Sequence, residues 1–159
     1  MNLMNRRSLF GSFAALTLLQ SLPVQAATPM VHVYKNPTCG CCTGWVEHLK
    51  SAGFSVEVTE TDETSAVRQR LGVPDRLGSC HTGIAGGYAI EGHVPAADIK
   101  RLLAMRPEAV GLAVPGMPVG SPGMEYGDRK DSYKVLLIDR KGRETVFASY
   151  PAQRAPSKS

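Results

Sequence analysis

The chain has 159 residues, of which 43% are hydrophobic, with 18 basic and 14 acidic side chains. A net charge of +4, with no basic run and no interleaving of aromatic and basic residues, excludes an obvious nucleic-acid footprint. The length excludes two ordinary domains once an export signal is set aside.

Residues 1–26 read as that signal. Arg6-Arg7 precedes Ser8-Leu9-Phe10 and an uncharged, mostly apolar stretch from Phe13 to Leu19, and Val24-Gln25-Ala26 fits a signal-peptidase site. The apolar part is too short to span a membrane. Its paired arginines resemble a twin-arginine signal as much as a general secretory one. Cleavage after Ala26 leaves 133 residues with 16 basic and 14 acidic groups, a near-neutral mature protein expected in the periplasm. No later apolar span suggests a membrane segment. The expected domain is 27–150, with an extension from about residue 111 and a disordered tail over 151–159.

Val31, Val33 and Tyr34 predict a short buried strand, which Asn36-Pro37 ends because proline lacks an N–H and disfavours helix at the residue before it. Three cysteines follow, Cys39, Cys41 and Cys42, and then Trp45, Val46 and Leu49 begin an apolar helical face. The thiols therefore lie between a strand and a helix, where free N–H groups and the helix dipole favour thiolate. The helix is expected from about Cys42 to Ala52, with Gly53 as its stop. Phe54 to Val58 alternates as a second strand and Glu63 to Leu71 reads as a second helix, giving a βαβα half with parallel strands. His32 and His48 fall in these elements as surface or packing residues.

Ser79-Cys80-His81-Thr82 opens the second half. Ile84 to Ile90 predicts two short strands around Gly86-Gly87, and Ala96 to Met105 a helix with Ile99, Leu102 and Leu103 inward. Pro95 fits either the first turn of that helix or a cis bond that places its loop beside the thiols. Gly111 to Met124 has three prolines, four glycines and two methionines, which argues against regular structure over most of its length. Tyr133 to Ile138, the turn Asp139-Gly142 and Glu144 to Ala148 form a closing hairpin. The fold class is thus α/β and thioredoxin-like, βαβα then ββα, with a Pro/Gly/Met loop and a hairpin as the extension.

Four cysteines in an exported chain first suggest two structural disulfides. That reading fits poorly here: Cys41 and Cys42 are adjacent, and a Cys39–Cys42 bridge closes too small a loop to constrain the unfolded chain much. Cys39 and Cys42 form a Cys-x-x-Cys pair in the context that carries redox chemistry, but Cys41 has no part in an ordinary dithiol mechanism. Three thiolates this close suit bridging, soft ions, and cysteine together with methionine points to Cu(I). Cys80, His81, His93 and the methionine loop can complete such a site, although only one of the neighbours Cys80 and His81 would face it on an extended chain.

Tyr34-Lys35-Asn36-Pro37-Thr38-Cys39-Gly40-Cys41-Cys42, Ser79-Cys80-His81-Thr82, Gly92-His93-Val94-Pro95, Val114-Pro115-Gly116-Met117-Pro118 and Gly120-Ser121-Pro122-Gly123-Met124 together resemble the periplasmic copper-resistance proteins often called CopG. The resemblance covers nearly the whole mature chain. It implies a thioredoxin-like domain whose extension helps to bind metal, a cysteine-bridged multinuclear copper cluster, and interconversion of Cu(I) and Cu(II). The metal ligands it implies are Cys39, Cys41, Cys42, Cys80, His93, Met117 and Met124, with Cys39 and Cys42 also the redox pair of a copper oxidoreductase. The partners expected are copper ions and a periplasmic copper efflux system, for a monomeric protein. A metal-free thiol oxidoreductase, a passive copper chaperone and a glutaredoxin-like arsenate reductase are the competing readings; the export signal argues against the last, whose relatives draw on cytosolic thiols.

Overall fold

Alternation at the start of the domain produces β1 (Met30–Lys35): Val31, Val33 and Lys35 are buried, while His32 and Tyr34 lie half-buried on the other face. The structure, a computed structural model, describes residues 29–151, so the expected export signal and the residues after Pro151 lie outside it. Helix α1 (Gly40–Ser51) begins two residues before its expected start and buries Cys42, Trp45, Val46 and Leu49 along one stripe. It ends before Gly53, whose φ of +87° reverses the chain. β2 (Ser55–Glu60) then pairs parallel to β1, with Val33 opposite Val58. Helix α2 (Thr64–Arg70) and a single 3-10 turn (Asp75–Leu77) complete the first half.

β3 (His81–Ala85) runs antiparallel to β1, and β4 (Tyr88–Glu91) antiparallel to β3 across the Gly86-Gly87 turn. Helix α3 (Ala96–Met105) buries Ala96, Ile99 and Leu102. Of the two readings for Pro95, the helix start holds: the residue stands at the N-cap of α3, and no cis peptide bond occurs among the described residues. The helix closes on Arg106 in the left-handed conformation, φ 49°. An L-residue there costs about 1–2 kcal/mol, and glycine gives back about 0.4–1 kcal/mol through unfolded-chain entropy. Arg106→Gly is therefore expected to raise stability by about 0.5–1 kcal/mol in thermal unfolding.

The irregularity expected over most of Gly111–Met124 holds from Val114 onward, and regular structure is confined to the first three residues. Gly111–Ala113 forms β5, fully buried, parallel to β4 on one side and antiparallel to β6 (Tyr133–Ile138) on the other. Three residues are too few to show a period, and it is the two flanking ladders that stabilise them as strand. β7 (Glu144–Tyr150) pairs antiparallel with β6 as the expected hairpin, with a bulge between Val135 and Leu136. Through β5 that hairpin joins the main sheet, which among the described residues has seven strands in the order β2-β1-β3-β4-β5-β6-β7.

Alternate residues of β4 and β5 feed two cores. Ile90 and Leu112 pack with Trp45, Leu49, Ile99 and Leu102, while Ala89 and Ala113 pack with Val73, Leu77 and Ile138. Both faces of the central strands are thus covered. The register decides what meets at the strand ends: Lys35 lies opposite His81, Thr82 opposite Glu91, and Glu91 opposite Ala113. The C-terminal ends of β1, β4 and β5 and the start of β3 therefore share one end of the sheet. The segments leaving from it carry Cys39–Cys42, Cys80, His93 and Met117.

Candidate metal centre

The cysteine loop is shaped by its own backbone. The Asn36 side-chain oxygen accepts the Thr38 N–H at 2.9 Å and the Thr38 hydroxyl at 2.6 Å, and Cys39 N–H donates to Asn36 O at 3.1 Å. This tight turn leaves Cys39 at the N-cap of α1 and Cys41 and Cys42 in its first turn. Cys39 and Cys42 are joined as a disulfide, whereas Cys41 and Cys80 are free and half-buried. Cys41 Sγ lies 3.4 Å from Cys39 Sγ, 3.8 Å from Cys80 Sγ and 4.0 Å from Met117 Sδ. All four cysteine sulfurs fall within 4.8 Å of one another.

Two imidazoles close the other side of Cys80. Its sulfur lies 3.4 Å from His81 Nδ1 and 3.4 Å from His93 Nε2. The second nitrogen of each ring meets a backbone carbonyl: His81 Nε2 is 3.0 Å from Gly92 O, and His93 Nδ1 is 2.8 Å from Pro122 O. A carbonyl only accepts, so these nitrogens carry the protons and donate. The lone pairs of His81 Nδ1 and His93 Nε2 are left facing the sulfur. A metal-binding histidine is commonly oriented in this way, by the hydrogen bond of its other nitrogen.

Charge follows burial. His81 is held down to about 3, by burial first and then by His93, while burial lowers His93 despite its bond to Pro122. Both rings are thus kept neutral and able to coordinate. Burial, and next the neighbouring Cys41, push the Cys80 thiol up to about 12. A soft cation at the cluster would reverse that preference and displace the proton.

Of the expected ligands, the structure brings together Cys39, Cys41, Cys42, Cys80, His93 and Met117. Met117 is 51% exposed and so lies at the mouth of the cluster. Met124 is buried at 9% exposure, and its backbone closes the loop by donating to Ser121 O and accepting from Gly120 N; its sulfur makes none of the thiol contacts that Met117 makes. His81 faces the site as well as Cys80, against the expectation that only one of them could. Cys80 precedes β3, and strand alternation does not reach it. His32 bonds to Thr59, and His48 Nε2 accepts the Ala96 N–H at 3.0 Å, which makes both structural.

Glu91 escaped the sequence reading. It is fully buried, and its carboxylate straddles the Cys80-His81 segment. One oxygen accepts Ser79 N–H at 2.6 Å and Arg68 Nη1 at 3.3 Å; the other accepts the Thr82 hydroxyl at 2.6 Å. Burial raises its pKa against the pull of these donors. The only signal in the sequence is an acid closing the apolar run Ala89-Ile90. Glu91→Gln keeps the shape and loses the charge-assisted bonds, so a loss of about 1.5–3 kcal/mol is expected in urea unfolding.

The loop after β5 is pinned over the cysteines. Ser79 Oγ donates to Gly116 O at 2.6 Å, while the separate β4–α3 connection is tied to α1 by Trp45 Nε1 donating to Val94 O at 2.8 Å. Gly123 (φ +84°) lies so close to α1 that a Cβ there would meet Trp45 N at 2.5 Å and Cys41 O at 2.8 Å. From the other side, a Cβ on Gly44 would meet Gly123 Cα at 3.0 Å.

A mixed α/β domain that gathers four cysteines and two neutral histidines at one end of its sheet has the donor set of a candidate metal centre. Comparison with known proteins narrows this. A solved structure of copper resistance protein CopG, form 2, is 52% identical, with a TM-score of 0.75 over 78% of this chain and 99% of that one. Form 1 of the same protein is 52% identical, with a TM-score of 0.74 over 77% and 97%. The family described as a protein of unknown function, DUF411, matches residues 77–124. No curated protein matches the chain. The chain belongs to the family of the copper resistance protein CopG.

Proposed function

We propose that the protein takes up copper on Cys39, Cys41, Cys42 and Cys80, with His93, His81 and Met117 as further donors, and interconverts Cu(I) and Cu(II) in copper tolerance. The observation that carries this reading is the convergence of four sulfurs within 4.8 Å with two imidazole lone pairs aimed at one of them. Thiolate and thioether donors favour Cu(I), and imidazole also accepts Cu(II). The family resemblance adds Met124 to the donors. Several sulfurs able to bridge favour more than one copper ion per chain. In the redox step the Cys39 and Cys42 thiolates would give up two electrons, one to each of two Cu(II) ions, and close into the disulfide as two Cu(I) ions form.

The reading includes a thioredoxin-like core. The parallel pair β1/β2, the antiparallel β3 and β4, and a Cys-x-x-Cys at the start of α1 support it. It also places the protein in the periplasm after removal of 1–26, as a monomer that passes copper to a periplasmic efflux system. Among the described residues no helix is long and apolar enough to cross a membrane.

The test is the copper and free-thiol content of the exported protein, purified without chelator from copper-supplemented cells. More than one copper per chain, with absorbance that changes reversibly on reduction and reoxidation, is the expected result. Copper that binds but never changes state leaves a passive carrier. No copper, with the Cys39–Cys42 disulfide intact, overturns the reading in favour of a metal-free thiol oxidoreductase, which that disulfide favours.

A further inference from the structure

Cys41 stands between two potential partners. Its sulfur is 3.4 Å from the bridged sulfur of Cys39 and 3.8 Å from the free sulfur of Cys80. Thiol–disulfide exchange needs a thiolate within reach of a disulfide sulfur and proceeds through a mixed disulfide. Cys41 meets that condition on one side and offers a third thiol its own sulfur on the other.

We propose that Cys41 is a catalytic nucleophile that relays the disulfide inside the chain, from Cys39–Cys42 to Cys41–Cys80. In the first step the Cys41 thiolate attacks Cys39 Sγ. The Cys41–Cys39 bond forms, the Cys39–Cys42 bond breaks, and the electron pair leaves on Cys42, which takes up a proton. In the second step Cys80, whose sulfur lies 3.4 Å from the lone pair of His93 Nε2, gives up its proton as it attacks Cys41 Sγ. The Cys41–Cys80 bond forms, and Cys39 leaves with the electron pair and gains a proton. The protons lost at Cys41 and Cys80 are regained at Cys42 and Cys39, and no oxidant or reductant is consumed.

The relay changes what the site offers. With the bridge inside α1, Cys41 and Cys80 are free beside the two histidines. With the bridge between α1 and the start of β3, Cys39 and Cys42 become the free pair at the helix N-terminus. The two-electron-oxidised chain thus always presents two thiols, and their position shifts. The relay uses the sulfurs of the copper reading but takes place without copper, so either can fail while the other stands.

Trypsin makes the two forms distinguishable. Cleavage after Lys35 and Lys50 places Cys39, Cys41 and Cys42 on one peptide, and cleavage after Arg76 and Lys100 places Cys80 on another. The exported full chain, freed of metal, is fully reduced, reoxidised to one disulfide with one equivalent of diamide, held at neutral pH, and trapped with N-ethylmaleimide in mild acid. Sulfurs in contact, with an exchange constant within tenfold of unity, put at least roughly one-tenth of the chains in the cross-linked form. Mass spectrometry is expected to find the two peptides joined through Cys41 and Cys80, and the joined species to vanish in Cys41→Ser while Cys39–Cys42 remains. Separate peptides only in the wild type, Cys80 joined to Cys39 or Cys42, or a cross-link that survives Cys41→Ser would each overturn the proposal.

Discussion

Cys41→Ser is expected to abolish cluster binding, with the copper content of the protein falling below one ion per chain and affinity for Cu(I) falling by at least roughly 100-fold. Loss of a mere supporting partner of a metal ligand already costs about 10–100-fold, and Cys41 is in direct contact with three other donor sulfurs. It touches Cys39, Cys80 and Met117. Serine preserves the size of the side chain on a half-buried position, so the fold is expected to survive, as judged by an unchanged circular dichroism spectrum and melting temperature. The Cys39–Cys42 pair remains able to close. Competition with a Cu(I) chelator measures the affinity and elemental analysis the stoichiometry. A variant that keeps full copper content would remove Cys41 from the binding site.

Gly123→Val is expected to cost about 2–5 kcal/mol or to lift the loop off the helix. A β-branched residue at φ +84° carries about 1–2 kcal/mol of backbone strain. The contacts of the added Cβ are with backbone atoms of Cys41 and Trp45, which belong to the first turns of α1 and cannot rotate away; overpacking of this kind adds about 1–3 kcal/mol. The consequence reaches the site, because Pro122, the neighbour of Gly123, supplies the carbonyl that orients His93. The variant is expected to bind copper more weakly than the wild type even when it remains folded below its lowered melting temperature. Equal stability and equal copper binding would show that the close approach of the loop to α1 does not matter.

Much of this site was legible in the chain itself. The β-branched alternation before Asn36-Pro37 and the stripe from Trp45 to Leu49 placed the cysteines between a strand and a helix, as found, because both signals are local. The hairpin around Asp139 was legible for the same reason: Asp139 Oδ1 accepts the N–H groups of Lys141 and Arg143, a turn written within five residues. β5 was not legible. Its three residues begin with a glycine and end two positions before a proline, and become a strand only because β4 and β6 supply both ladders.

By itself the sequence determined the chemistry: which soft donors are present, that three of them share one loop at a helix start, and that a methionine-bearing segment is available to join them. Only the tertiary structure decided which of those donors meet. Lys35 opposite His81 brings Cys80 to the cysteine loop, Thr82 opposite Glu91 brings His93 beside it, and Glu91 opposite Ala113 sends Met117 to the same end. Strand register is a property of the paired sheet, set by which faces are buried and absent from any one segment. The same holds for Glu91 under Cys80 and His81 and for Gly123 against Gly44. Each is an ordinary residue in its own segment and acquires its role from a neighbour far away in the chain.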